Sequence, residues 1–139
     1  VLFTSGSQGR PKGVMLSRAA LIASADASSR QHTWREQERW LCCLPLHHVG
    51  GLSVLVRCLI DRKTAVLHDG FKVETVARTL HHDAITRVSM VPTMLWRLLE
   101  AYHPAPPGLR LVLIGGAALD PQLMARLDQV FQEMAPAAQ

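Results

Sequence analysis

The chain has 139 residues, a length that fits one domain, and its 48% hydrophobic content with a mean hydropathy of +0.11 supports a folded core and excludes a disordered tail. Its formal charge of +4 could suit a polyanion, but the fifteen basic residues, twelve of them Arg, are scattered among only three Phe and one Tyr, which disfavours a nucleic-acid surface and favours a small anionic ligand. No apolar run approaches the roughly 20 residues needed to cross a bilayer.

Val1-Leu2-Phe3 reads as the end of a buried-type strand that runs into the Gly-rich segment Thr4 to Gly13, and Val14-Met15-Leu16 reads as a short strand leaving it. A chain opening on such a strand, with no Met, signal peptide or polar lead-in, is expected to be cut from something longer. Ser17 is the expected N-cap of a helix through about Arg30, with Leu21, Ile22 and Ala25 as its apolar stripe. After a charged linker, Trp40 to Leu44 has strand length and composition and stops at Pro45. Cys42 and Cys43 are neighbours on that strand and point to opposite faces, so they do not ligate one metal together. With Cys58 they read as buried free thiols, which suits a reduced, cytoplasmic protein.

Gly50-Gly51 opens a helical stretch from Leu52 to Ile60, followed by a strand at Thr64 to His68 and a helix at Val73 to His82 with Val73, Val76, Ala77 and Leu80 at helical spacing. Val88 to Val91 is a buried strand, Pro92 starts a helix through about Tyr102, and Pro104 to Gly108 is a loop. Leu111 to Ile114 is the last strand, and Asp120-Pro121 caps and starts a helix through about Met134. Strands alternating with helices imply right-handed crossovers and an α/β fold, a mainly parallel sheet with flanking helices. Trp34, Trp40 and Trp96 read as packing residues.

The chemistry is concentrated in Thr4-Ser5-Gly6-Ser7-Gln8-Gly9-Arg10-Pro11-Lys12-Gly13. Three glycines allow close backbone approach to a ligand, the hydroxyls of Thr4, Ser5 and Ser7 donate, and Lys12 is a mobile cation, which together suit phosphate. The Walker pattern fails because Pro11 stands where its second Gly belongs and Gly13 follows Lys12. The dinucleotide pattern fails on glycine spacing, and the element leaving the loop is a strand. A bare Gly/Ser segment would read as a surface turn, so the order of residues decides.

That order resembles the phosphate loop of the adenylate-forming superfamily, whose pattern runs Thr-Ser-Gly-(Ser/Thr)-Thr-Gly-x-Pro-Lys-Gly. Gln8 alone departs, replacing a small hydroxyl with an amide that can still donate. Further on, Pro45-Leu46-His47-His48-Val49-Gly50 resembles a landmark of the superfamily's CoA ligases, Val91-Pro92-Thr93 its Val-Pro-Thr segment, and Gly115-Gly116-Ala117 its Gly-Gly-Ala segment. The wording of Pro45 to Leu55 and Met94 to Leu99 resembles the o-succinylbenzoate:CoA ligases of menaquinone biosynthesis.

The resemblance implies that residues 1–139 are part of the large N-terminal AMP-binding domain of an adenylate-forming enzyme, truncated at both ends and without its C-terminal domain. Thr4, Ser5, Gly6, Ser7, Gln8, Gly9 and Lys12 would then wrap the ATP phosphates, and Gly115, Gly116 and Ala117 would lie along the adenine and acyl pocket. His48 would be the catalytic-site gate between the acid and the thiol. The implied substrates are a carboxylic acid, ATP and CoA, with Mg2+ held by a Glu outside the chain. No metal ligand is assigned within it, because His47 and the pair His81-His82 have no Cys, Asp or Glu at ligand spacing. Nothing fixes an oligomeric state. The superfamily's Tyr-Gly-x-Thr-Glu segment, ribose-binding Asp and C-terminal Lys are missing, so the isolated segment is expected not to turn over. Two other readings stay open: a piece of another adenylating enzyme, such as a fatty acyl-CoA or carrier-protein ligase or a peptide-synthetase domain, and a non-catalytic nucleotide-binding module.

Overall fold

The computed structural model describes residues 1–4, 10–101 and 106–134, with side chains to residue 132. Six strands and five helices follow one another among them: β1 (Leu2–Thr4), β2 (Lys12–Val14), α1 (Arg18–Gln31), β3 (Arg39–Cys42), α2 (Val49–Ile60), β4 (Thr64–Leu67), α3 (Val73–His82), β5 (Arg87–Met90), α4 (Pro92–Ala101), β6 (Leu111–Ile114) and α5 (Pro121–Met134). Local signals set two of the helix starts, those of α1 and α5. The Ser17 hydroxyl accepts the Ala20 amide at 3.0 Å, and the Asp120 carboxylate accepts the Gln122 amide at 2.8 Å, each satisfying a first-turn N–H that lacks a partner within the helix.

β3 to β6 form one parallel sheet in the order β4-β3-β5-β6. The chain moves outward from β3 to β4, then back across β3 to β5 and on to β6. Right-handed crossovers in opposite directions must lie on opposite faces, so α2 covers one face and α3 and α4 the other. Strand alternation matches this division. Leu41, Cys43, Val88 and Met90 pack with α3, α4 and α5 in an apolar core, while Trp40 and Cys42 pack with Val54 and Cys58 of α2. The two adjacent thiols do face opposite ways, as expected.

The α2 face also holds an ion network. Arg87, 1% exposed, donates through Nε to Glu38 at 2.8 Å and through its terminal nitrogens to the carbonyls of His32 and Thr33 at 3.0 and 2.7 Å, while Arg110 pairs with the other Glu38 oxygen. Trp34, half-buried, lies under the Arg87 guanidinium at 3.9 Å from the ring centroid, and its N–H donates to Asp61, which also accepts the Ser29 hydroxyl. These bonds tie the end of α1 to the end of α2 and to the amino end of the sheet.

Three expectations are corrected. The apolar run Val1-Leu2-Phe3 suggests a buried-type strand, yet Val1 and Phe3 are 75% and 66% exposed, because β1 pairs antiparallel with β2 alone and no described layer covers the ribbon. The strand leaving the loop spans Lys12–Val14, not Val14 to Leu16, since the register places Lys12 opposite Thr4. Trp96 is 38% exposed, with the Arg126 guanidinium 5.2 Å from its ring centroid, so it is a surface aromatic and not a core residue.

Candidate functional site

The turn between β3 and β4 and that between β5 and β6 diverge at the carboxyl ends of β3 and β5, where the strand order reverses, and such a switch point leaves a crevice for a ligand. A cleft of about 660 Å³ lies there, within the range of small-molecule sites. Leu44 and Pro45 from the β3 end, Met90 and Val91 from the β5 end, and Gly115 and Gly116 from the β6 end form its rim. The first turn of α2 closes one side.

That turn sits low because of Gly51. A Cβ there would stand 2.4 Å from the Pro45 carbonyl oxygen and 2.8 Å from that of Leu44, so only glycine lets α2 approach the strand end. The Cys42 thiol donates to the Leu44 and Gly51 carbonyls at 3.6 and 3.7 Å and helps hold the two together. His48 occupies the N-cap position of α2 without making a side-chain cap; its carbonyl accepts the Leu52 amide at 3.0 Å, and its exposed ring packs 4.4 Å from that of His47. It lines the cleft.

Gly115 continues the β6 ladder by donating to the Met90 carbonyl at 3.3 Å, and a Cβ on it would meet no atom within 4 Å, so the strand end presents a flat, open edge. Gly116 has φ +85°, the left-handed region, which turns the chain there. Ala117 is exposed and is not part of the lining.

Of the remaining expected site residues, Thr4 and Lys12 face each other across the β1–β2 ribbon, the Thr4 hydroxyl donating to the Lys12 carbonyl at 3.4 Å, and neither lines the cleft. Ser5, Gly6, Ser7, Gln8 and Gly9 lie outside the described residues. The cleft therefore gathers His48, Gly115 and Gly116, and leaves Thr4, Lys12 and Ala117 apart.

Three polar lining residues, Ser53, Arg57 and Ser89, carry no signature motif in the sequence. Arg57, on α2, enters a largely apolar wall; its Nε is buried without a hydrogen-bond partner, and burial lowers the guanidinium pKa from its ordinary value. Ser89, on β5, is 4% exposed, and its Oγ accepts the Trp40 indole N–H at 2.9 Å. The signal for Arg57 was present in the sequence: it is the single charge in Val49–Ile60.

The thiols offer no nucleophile. Burial, with a smaller contribution from Cys42, pushes Cys43 up to about 12, and burial pushes Cys58 up to about 11, so both stay protonated near neutrality. Among the described residues no group of three His, Cys, Asp or Glu is placed to hold a metal ion, and no helix is long and apolar enough to cross a membrane.

A family model described as AMP-binding enzyme matches residues 1–139. The chain is 38% identical over all its residues to a 2-succinylbenzoate–CoA ligase of Bacillus licheniformis and 41% identical over 116 residues, 84% of the chain, to that of Bacillus pumilus; it spans 28% and 24% of their lengths. The o-succinylbenzoate coenzyme A synthetase of Bacillus subtilis, solved in complex with ATP and magnesium ion, superimposes with a TM-score of 0.88 at 36% identity, covering 94% of this chain and 27% of that one. Matching proteins thus share both the sequence and the fold of this region, which is about a quarter of their length.

Proposed function

This chain belongs to the AMP-binding enzyme family, and we propose that it is part of the N-terminal domain of an ATP-dependent acid:CoA ligase acting on 2-succinylbenzoate. In that reaction a carboxylate oxygen attacks the α-phosphorus of ATP, pyrophosphate leaves, and the thiol of CoA then displaces AMP from the acyl-adenylate. The loop Thr4, Ser5, Gly6, Ser7, Gln8, Gly9 and Lys12 supplies hydroxyls, amides and a cation for the phosphates. Gly115 and Gly116 offer the flat backbone edge for the adenine, Ala117 continues the same turn, and His48 stands at the mouth between acid and thiol.

The observation that carries the choice of acid is Arg57. A half-buried guanidinium whose Nε is buried without a hydrogen-bond partner, set in a largely apolar wall, is costly unless an anion meets it. A simple fatty acid spends its one carboxylate on adenylation and leaves such a cation unmatched, whereas 2-succinylbenzoate has a second carboxylate to pair with it. The cleft lining includes no Asp or Glu, so Mg2+ accompanying ATP needs a carboxylate from outside these residues. The three buried free thiols suit a cytoplasmic location.

Steady-state kinetics on the full-length protein that carries this chain test the reading. Arg57→Gln is expected to raise KM for 2-succinylbenzoate by about 10- to 100-fold, the loss of one charge-assisted pair, with KM for ATP unchanged. An unchanged KM for the acid would sink the assignment.

A further inference from the structure

Two polar groups of the cleft wall come from different elements, Arg57 from α2 and Ser89 from β5, and one buried side chain meets both. Trp40, on β3, is fully buried and does not line the cleft. Its indole N–H donates to Ser89 Oγ at 2.9 Å, and the Arg57 guanidinium carbon stands 5.5 Å from its ring centroid, within cation–π range. We propose that Trp40 is a positioning residue for acid recognition, holding the Ser89 hydroxyl and the Arg57 guanidinium at fixed places behind the cleft surface. This rests on the reading of Arg57 as the partner of the acid's second carboxylate.

The chemistry of the indole explains why a tryptophan serves here. Ser89 Oγ accepts the Trp40 proton, so one of its lone pairs is fixed and its own proton is left to donate. The ring face attracts the guanidinium without neutralising it, so Arg57 keeps its full charge for an anion. A carboxylate in the same place would hold the cation and cancel it, as Glu38 does to Arg87. Arg87 also approaches the Trp40 ring, at 5.6 Å, but Glu38 already pairs with it. Among the described residues no carboxylate pairs with Arg57. The neighbouring Trp34 meets Trp40 edge-on at 5.5 Å between centroids, which fixes the orientation of the ring.

The experiment compares Trp40→Phe, Trp40→Leu and Arg57→Gln in the full-length protein, measuring kcat and KM for 2-succinylbenzoate and for an analogue with a single carboxylate. Trp40→Leu removes both contacts and is expected to raise KM for the two-carboxylate acid roughly 5- to 30-fold, with kcat and KM for the single-carboxylate analogue within about 2-fold. Trp40→Phe keeps a ring under Arg57 but loses the N–H, and a rise of roughly 2- to 5-fold is expected. If Trp40→Leu does not fold, Trp40→Phe decides alone. Equal effects on the two acids, or a fall in kcat at unchanged KM, overturn the positioning role. A raised KM in Arg57→Gln with none in either Trp40 variant overturns it while sparing the reading of Arg57; an unchanged KM in Arg57→Gln overturns both.

Discussion

The two faces of the parallel sheet are built from alternate residues of the same strands, yet they differ in kind. Toward α3, α4 and α5 the sheet presents Leu41, Cys43, Val88 and Met90, on which a cluster of apolar side chains packs. Toward α2 it presents Trp40, Cys42, Arg87 and Ser89, and hydrogen bonds, an ion pair and guanidinium–indole contacts reach from the amino end of the sheet to the cleft. An apolar face is non-directional and tolerates small shifts, whereas a face made of directed bonds holds groups at set distances. The first face serves stability and the second serves the site.

The largest expected effect falls on the directed face. Glu38→Ala leaves Arg87 buried without a counter-charge and should cost about 3–5 kcal/mol in urea unfolding. A cost below about 1 kcal/mol would mean that the ion network is not what organises that face. Leu80→Ala, in α3 and 1% exposed, should cost about 2–4 kcal/mol by opening a cavity, while leaving KM for the acid within about 2-fold. A changed KM there would break the division between the faces.

The smallest effect compares adjacent thiols. Cys43 titrates near 12 when folded and near 9.0 in an unconstrained chain, so between these values the unfolded state loses its proton first and stability falls as pH rises. From full value below pH 9, about 1.4 kcal/mol should be gone by pH 10, and Cys43→Ala should remove that part of the slope. Cys42 is also raised by burial, opposed in part by hydrogen bonding with the Leu44 backbone. Cys42→Ala should therefore flatten the pH profile less than Cys43→Ala does.

Much of this was legible in the sequence because local chemistry writes it there. Ser17 and Asp120 mark helix starts through bonds to residues two or three positions on, and Val73, Val76, Ala77 and Leu80 show their buried stripe by spacing alone. The cleft was half legible: His48, Gly115 and Gly116 stood in recognisable segments, while Arg57 passed as one charge on an apolar helix. The exposure of the β1–β2 ribbon was not legible, since an apolar strand indicates a need for cover but not whether neighbouring residues provide it.

What the sequence alone determined is the order of elements, the alternation that divides the sheet and the phosphate-loop resemblance, all of which depend on residues a few positions apart. What only the tertiary structure decided is which distant residues meet. The parallel register of β3 on β5 sets Trp40 opposite Arg87 and brings its indole to Ser89, 49 residues away, and the α2 crossover lays Arg57 over the same ring. Those meetings arise from strand pairing and the handedness of the crossover, which no local window of sequence contains.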